Sequence, residues 1–322
     1  MHKSKAIMVW LIVAASLVVG GCLIIGGVMV ASRWDFKNLS TIKYETNEHQ
    51  IKEDYKNISV FTDTTDIVFV PSESTETKVV CYEGRKEKHS VRVVDGTLVI
   101  ERINTKKWYD YIGIGFGSPK ITVYMPAEEY GALLVKSSTG DTEIAKDFKF
   151  ASIDVSESTG NVKSAASVSG EVKIKTSTGY ITLENMSAGS IDLSVSTGNV
   201  VASGIACAGS IEIEVSTGKT YLTDVTCKTL ESEGDTGDIT LKNVVAGERF
   251  SIERSTGDVK FEGCDAAEIF VKTDTGDVEG TLLSDKVFVV NTDTGKVSVP
   301  NSIVGGRCQI ETDTGDIKIT VN

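Results

Sequence analysis

The residues with the most chemical potential in this sequence are carboxylates set at a fixed interval. Thr-Gly recurs ten times, with the glycine at Gly140, Gly160, Gly179, Gly198, Gly218, Gly237, Gly257, Gly276, Gly295 and Gly315, always 19 or 20 residues apart. The residue before the threonine is Ser in six copies and Asp in four (Asp235, Asp274, Asp293, Asp313), and Asp or Asn usually follows the glycine. Carboxylates stacked in this way are a candidate calcium edge, because Ca²⁺ collects six to eight oxygen ligands. Its ligands would be Asp258, Asp274, Asp277, Asp293, Asp313 and Asp316. The structural reading competes and is preferred: Asp and Asn hydrogen-bond turn backbone, and Gly makes the corner. On that reading these carboxylates hold no metal. A T-x-T ice-binding face is matched by Thr273-Asp274-Thr275, Thr292-Asp293-Thr294 and Thr312-Asp313-Thr314, but Val195, Val215 and Arg254 interrupt it in earlier copies.

Other chemistry is sparse. Six cysteines occur without a C-x-x-C pair, and the histidines are three: His2, His49 and His89. A zinc site or a Cys-His nucleophile has little support in that pattern. Cys207 and Cys227 each lie nine residues after their glycine, so they should stack on adjacent turns. Direct parallel stacking is poor disulfide geometry, which favours unpaired thiols and leaves a disulfide as the alternative. Cys264 and Cys308 lie beside apolar runs and read as core. Trp108-Tyr109-Asp110-Tyr111, followed by Gly113, Gly115 and Gly117, reads as a loop packed on a cap, or as a contact for sugar or membrane. A polysaccharide-cleaving β-helix enzyme would need unique clustered carboxylates. Here the acids lie in a repeat, so no catalytic residue, cofactor-binding residue or cofactor is assigned.

The elements that carry these residues follow from the period. Each unit holds two short alternating runs, such as Ile181-Thr182-Leu183 and Ile191-Asp192-Leu193, separated by a small or polar corner such as Asn185 or Gly263. Period-2 alternation rich in branched residues reads as strand. Two strands per unit leave no room for a helical crossover, so the chain must wind into coils, each strand pairing in parallel with its equivalent. The fold class is all-β: a parallel β-solenoid of 19–20-residue coils, right-handed by the crossover rule. Nine steps of about 4.8 Å make a rod of roughly 43 Å. The last run, Gly315 to Asn322, should form the final strand, with an uncovered outer edge that would suit a partner strand or a second copy.

Upstream, Asn57 to Leu134 is strand-rich but irregular. Asp95-Gly96 between Val91–Val94 and Leu98–Ile100 is a hairpin signal. Thr65-Asp66-Ile67 reads as a decayed Thr-Gly-Asp corner. Ala6 to Ala31 is 26 residues without a charge, about 39 Å as a helix, against a bilayer core of about 30 Å. Trp10 and Trp34 flank it, and Lys3 and Lys5 precede it, which keeps the short N-terminus in the cytoplasm. Arg33 and Lys37 weaken that bias. Val19-Gly20-Gly21-Cys22 supports an alternative, a lipoprotein anchored at Cys22, against which stands the apolar run from Leu23 to Ala31. The expected divisions are 1–5 cytoplasmic, 6–32 transmembrane, 33–56 a juxtamembrane spacer, 57–137 a strand-rich cap with first irregular coils, and 138–322 the regular repeats. The first 33 residues carry Lys3, Lys5, Arg33 and no acid, so the rest holds 30 basic and 45 acidic residues, a net of −15. So acidic an exterior repels phosphate backbones and argues against nucleic acid.

Several of these elements occur in a recognisable order. They are Asp66-Ile67-Val68-Phe69-Val70-Pro71, Asp95-Gly96-Thr97-Leu98-Val99-Ile100, Ile121-Thr122-Val123-Tyr124-Met125-Pro126 and Ser138-Thr139-Gly140-Asp141. In that order the chain resembles, from about Ile58 to Asn322, the bacterial candidate-adhesin family of β-strand-repeat proteins, a domain of unknown function. The resemblance implies a β-helical fold and brings no catalytic residues. Some members accompany membrane-stress genes in Gram-positive bacteria. The expected function is a non-enzymatic, extracytoplasmic, membrane-anchored scaffold or interaction protein. The alternatives are an accessory part in envelope-stress sensing and, third, a carbohydrate-active enzyme. The expected location is the plasma membrane, with the C-terminal domain outside. The expected partners are the membrane, through the N-terminal helix, and an envelope protein or surface glycan.

Overall fold

The computed structural model describes residues 2–31, 33–34, 42–105 and 117–322. The aromatic run Trp108–Tyr111, Gly113, Gly115 and Lys37 lie outside them. The chain forms two compact units. One holds Met1–Glu45, Gly84–Glu87 and Asn104–Ser118; the other holds Thr46–Glu83, Lys88–Ile103 and Pro119–Asn322.

In the first unit, α1 (His2–Ala31) is a single helix. Its segment Met8–Ala31 has mean hydropathy 2.6 and is exposed almost throughout, Met29 alone being buried. It is long and apolar enough to cross a membrane, and a signal sequence near an N-terminus has the same character. The helix closes on left-handed Arg33 and Trp34, φ 54° and 61°. The Trp34 N–H donates to the Met29 carbonyl at 2.9 Å, satisfying one of the last carbonyls.

The second unit is the expected parallel β-solenoid. Inward positions stack turn on turn: Leu133, Ile153, Val172, Ile191, Ile211, Leu230, Phe250 and Ile269 form one continuous register, and all are at most 3% exposed. Full burial of each such side chain is worth about 1.5–3 kcal/mol, so a turn is stable only when both neighbours cover it. Two corners shape each turn. At the Thr-Gly corner the backbone takes a positive φ that L side chains rarely adopt: Gly198 has φ 144°, and a Cβ there would strike the carbonyl oxygen of Gly179 one turn below. At the other corner Asn185, Gly204, Asp224, Asn243 and Gly263 succeed one another in the left-handed region, φ 50° to 65°, which Asn, Asp and Gly tolerate best.

Before the repeats lie β1 (Tyr44–Ile51), β2 (Asn57–Phe61), β3 (Asp66–Ser72), β4 (Thr77–Gly84), β5 (Glu87–Val94), β6 (Thr97–Asn104) and β7 (Lys120–Pro126), then the first regular strands β8 (Glu129–Thr139) and β9 (Thr142–Ile144). The stretch expected to be a spacer therefore contains a strand, β1, which pairs with β4. Its alternating burial ends on buried Ile51, a pattern masked in sequence by the polar outward residues. The Asp95-Gly96 hairpin turn is present, with φ 47° and 70°. Thr65 does stand where later turns have glycine: Thr64 bridges Thr139, and Asp66 Oδ1 accepts the Asp141 N–H at 3.1 Å.

Stacking in chain order fails at both ends. At the first, β2 lies between β6 and β8, and β3 lies between β7 and β9. Antiparallel β4 then covers β7. At the other, Gly306–Thr314 lies between Val259–Thr275 and Lys286–Thr294. Ile317–Val321 likewise lies between Val278–Leu282 and Val297–Ser298. This corrects the expectation that Gly315–Asn322 forms an uncovered edge. The strand is real, and Ile317 and Ile319 point inward, but its first residues, Ile317 and Lys318, are paired on both sides. The outer edge is Lys286–Ser298 instead. Gly305 and Gly306 permit the step back: a Cβ on either would strike the carbonyl of Asp285 or Ala267. The step also buries the more apolar inward set, since Cys308, Ile310, Ile317 and Ile319 are at most 2% exposed, while Phe288 and Val290 are only half-buried.

Candidate functional site

The acidic ladder is a backbone device. Asp141 Oδ1 accepts the Asn161 N–H at 2.8 Å, and Asn161 Oδ1 accepts the Tyr180 N–H at 2.9 Å. Further along, Asp238, Asp258 and Asp277 accept the N–H of Asp258, Asp277 and Asp316 at 3.2, 2.9 and 2.7 Å. Asp316 accepts that of Lys296 at 2.8 Å. Each short acid thus ties its corner to the corner of the next turn. Lys219 sits 2.7 Å from Asp238, and together with the backbone bond it holds that carboxyl below the usual range. Of the candidate calcium ligands, Asp258, Asp277 and Asp316 belong to this spine. Asp274, Asp293 and Asp313 form an exposed second line, in the spatial order 274, 313, 293 because of the inserted strand.

One inward column, three residues before each corner glycine, carries charge into the core. Glu157 is 5% exposed; Thr142 Oγ1 donates to its Oε1 at 2.5 Å, and its Oε2 has no partner. Burial pushes its pKa up to about 7, with Asp141 and Asp66 adding to the rise and the Thr142 bond opposing it. Arg254 is 4% exposed and lies over Gly234, whose missing side chain makes the room. It donates to Ser232 Oγ at 2.7 Å and to the Glu253 carbonyl at 2.9 Å. Burial lowers its pKa to about 10. A shallow depression of 220 Å³ opens beside it, lined by Glu233, Asp235, Glu253, Lys272 and Asp274 among others.

The sequence pattern missed a third constellation, under the β4–β5 hairpin. Cys81 and Glu83 alternate on one face of β4, and His89 returns on β5 after the two-residue turn Arg85-Lys86. Cys81, Glu83 and His89 are 0%, 1% and 6% exposed, and their ligand-type atoms lie within 4.8 Å of one another. Glu83 Oε2 accepts both the backbone N–H of His89 and a contact from its Nδ1, each at 2.7 Å. Asn47 Nδ2 donates to Glu83 Oε1 at 2.6 Å. Thr62 Oγ1 lies 2.9 Å from His89 Nε2 and donates to Thr65 Oγ1 at 3.0 Å. Burial acts to raise the Glu83 pKa, but the hydrogen bonds from His89 and Asn47 outweigh it and hold the carboxyl below its ordinary range. Burial pushes the Cys81 thiol up to about 12. The available signal was Cys81-x-Glu83 in an alternating run; a residue from β1 and one just after β2 complete the set from far along the chain.

Cys207 and Cys227 are buried and in no disulfide, as are Cys81, Cys264 and Cys308. Burial pushes Cys227 up to about 12 and also raises Cys207.

Among solved structures, a candidate lipid-binding protein from Parabacteroides distasonis is 13% identical, with TM-score 0.47, covering 86% of this chain and 97% of that one. A candidate adhesin from Bacteroides fragilis is 14% identical, with TM-score 0.37 and coverage of 86% and 97%. A candidate adhesin from Parabacteroides merdae is 11% identical, with TM-score 0.43 and coverage of 86% and 96%. Among curated proteins none matches. The family model described as Toastrack DUF4097 matches residues 55–209 and 205–322, which is the whole solenoid together with its irregular first turns, and the chain belongs to that family.

Proposed function

We propose that this chain is a non-enzymatic surface scaffold or interaction protein, held in the plasma membrane by α1 with its solenoid outside the cytoplasm. The observation that carries this reading is the spine of Asp and Asn side chains. The Asp and Asn side chains that follow most of the corner glycines, from Asp66 to Asp316, are spent on backbone N–H groups of the adjacent turn. Repetition here builds a stiff surface instead of a reaction centre. The uncharged helix Met8–Ala31 supports the anchor, and the acidic exterior suits a partner in the envelope, a protein or a surface glycan. The test is protease treatment of spheroplasts expressing the full chain, followed by surface cross-linking from probes on the exposed strand faces. Digestion of the solenoid with retention of a membrane-bound N-terminal fragment, and capture of a defined envelope component, is the expected result. A protease-resistant solenoid in intact spheroplasts would place it inside and overturn the reading. A lipidated N-terminal Cys22 by mass spectrometry would replace the helix with a lipid anchor.

A further inference from the structure

The constellation under the β4–β5 hairpin has a proton-counting problem that a metal resolves. Thr62 has one hydroxyl proton, and it goes to Thr65 Oγ1 at 3.0 Å. Thr62 must therefore accept from His89, so Nε2 carries a hydrogen in the 2.9 Å contact. In a neutral imidazole the other nitrogen, Nδ1, is then a lone-pair acceptor. It faces Glu83 Oε2, also an acceptor, at 2.7 Å. Two acceptors at that distance need a proton between them, and a metal that took both as ligands at about 2.0–2.2 Å would replace that proton and part them slightly. A proton uses two groups and gives no reason for a third to converge. The Cys81 sulfur does converge, within 4.8 Å of both, on the same buried face.

We propose that Cys81 Sγ, His89 Nδ1 and Glu83 form a binding site for a borderline divalent transition metal of the zinc class. Sulfur, imidazole nitrogen and carboxylate are the ligand set that such ions take, and three protein ligands leave one coordination position for water. The supporting contacts are those of a metal site: Thr62 fixes the ring through Nε2–H, and Asn47 holds the carboxylate through Oε1. Binding releases the Cys81 thiol proton as the sulfur–metal bond forms, and any proton on Nδ1 leaves to solvent. Burial opposes a bare thiolate at Cys81, so the metal must supply the compensating charge. Because the ligands come from both strands of the hairpin, and their supports come from β1 and from the residue that follows β2, the metal would fasten the covering strands to the first turn.

The experiment uses the full chain in detergent, stripped with chelator, desalted, and loaded with Zn²⁺ or Co²⁺ alone. One Co²⁺ per chain is expected, with a thiolate-to-cobalt charge-transfer band and the intense visible bands of four-coordinate cobalt. Cys81→Ser should abolish the charge-transfer band and lower affinity at least 100-fold, with unchanged far-ultraviolet circular dichroism. Thr62→Val, which keeps all three ligands, should keep the band and weaken binding about 10-fold. Since Cys81→Ser could misfold, ¹⁵N NMR of the His89 ring in the wild-type chain gives an independent readout: Zn²⁺ should leave Nε2 protonated and shift Nδ1. A folded wild-type chain that takes up no cobalt would overturn the proposal. So would cobalt bound without the charge-transfer band, or a ring that stays doubly protonated in excess Zn²⁺, which would make the bridge a proton.

Discussion

The two ends of the solenoid solve the same problem differently. A stack of parallel turns leaves an open core and unpaired backbone at each end. At the first end the chain covers β6 and β7 with further strands, antiparallel β4 among them, and fills the space beneath with Asn47, Thr62, Cys81, Glu83 and His89. At the other end the outermost strand, Lys286–Thr294, pairs on one side with Gly306–Thr314, and Val287, Val289, Val297, Ile303 and Val304 are exposed. Both ends nevertheless share one device, a strand pair slotted one level inside its chain-order position. The difference shows that covering an end takes unique side-chain chemistry, whereas extending a stack takes only the repeat.

The largest test of this contrast is deletion of Gly306–Asn322. If those residues are the inserted turn, their loss removes at least four fully buried apolar side chains, about 6 kcal/mol or more. Lys286–Thr294 should lose hydrogen-exchange protection with them. Protection that survives in Lys286–Thr294 would show that strand paired elsewhere. Next comes a pH dependence built into the first turns. The folded pKa of Glu157, about 7, lies above its ordinary 4.5. The folded state therefore holds its proton longer, and stability falls as pH rises from about 4.5 to 7, by about 3 kcal/mol, then levels off. Glu157→Gln should remove that slope in urea unfolding and be more stable than wild type at pH 8. Glu83 works in the opposite sense: its depressed pKa gives stability that is present above its ordinary 4.5 and lost as pH falls through the folded value. At the far end, Lys286 Nζ lies 2.6 Å from Asp265 Oδ1, with side chains 4% and 23% exposed. Lys286→Ala should cost about 2 kcal/mol in thermal or urea unfolding, less than a fully buried pair because Asp265 still reaches water. Val289→Lys, on the uncovered strand, should change stability by no more than about 0.5 kcal/mol. Millimolar calcium should leave the melting temperature unchanged, since the spine carboxylates already accept backbone hydrogens; a rise would revive the cation edge.

What the sequence disclosed follows the same division. The period, the two corners and the inward columns were legible because each is repeated up to ten times, so chance resemblance averages out. Asp66 was recognisable as a corner residue for the same reason. The order of the end strands was not legible, because an inserted turn keeps the same inward and outward alternation as a terminal one. The Cys81, Glu83 and His89 cluster escaped because its members are unrepeated and its supports, Asn47 and Thr62, lie far away in sequence.

The slotted strand pair also dictates an order of events when the chain folds. Solenoid turns add one at a time onto an existing template, each new turn resting on the one just completed. Lys286–Ser298 cannot do so, because the strand it pairs with has not yet been reached along the chain. It must wait, unpaired, until Gly306–Val321 docks on Val259–Leu282, and the two turns then close together. Folding of this end is therefore a single concerted step with a longer loop to close than any in the middle of the stack. Its rate, unlike that of the interior turns, should respond to the length and stiffness of the seven residues from Val299 to Gly305.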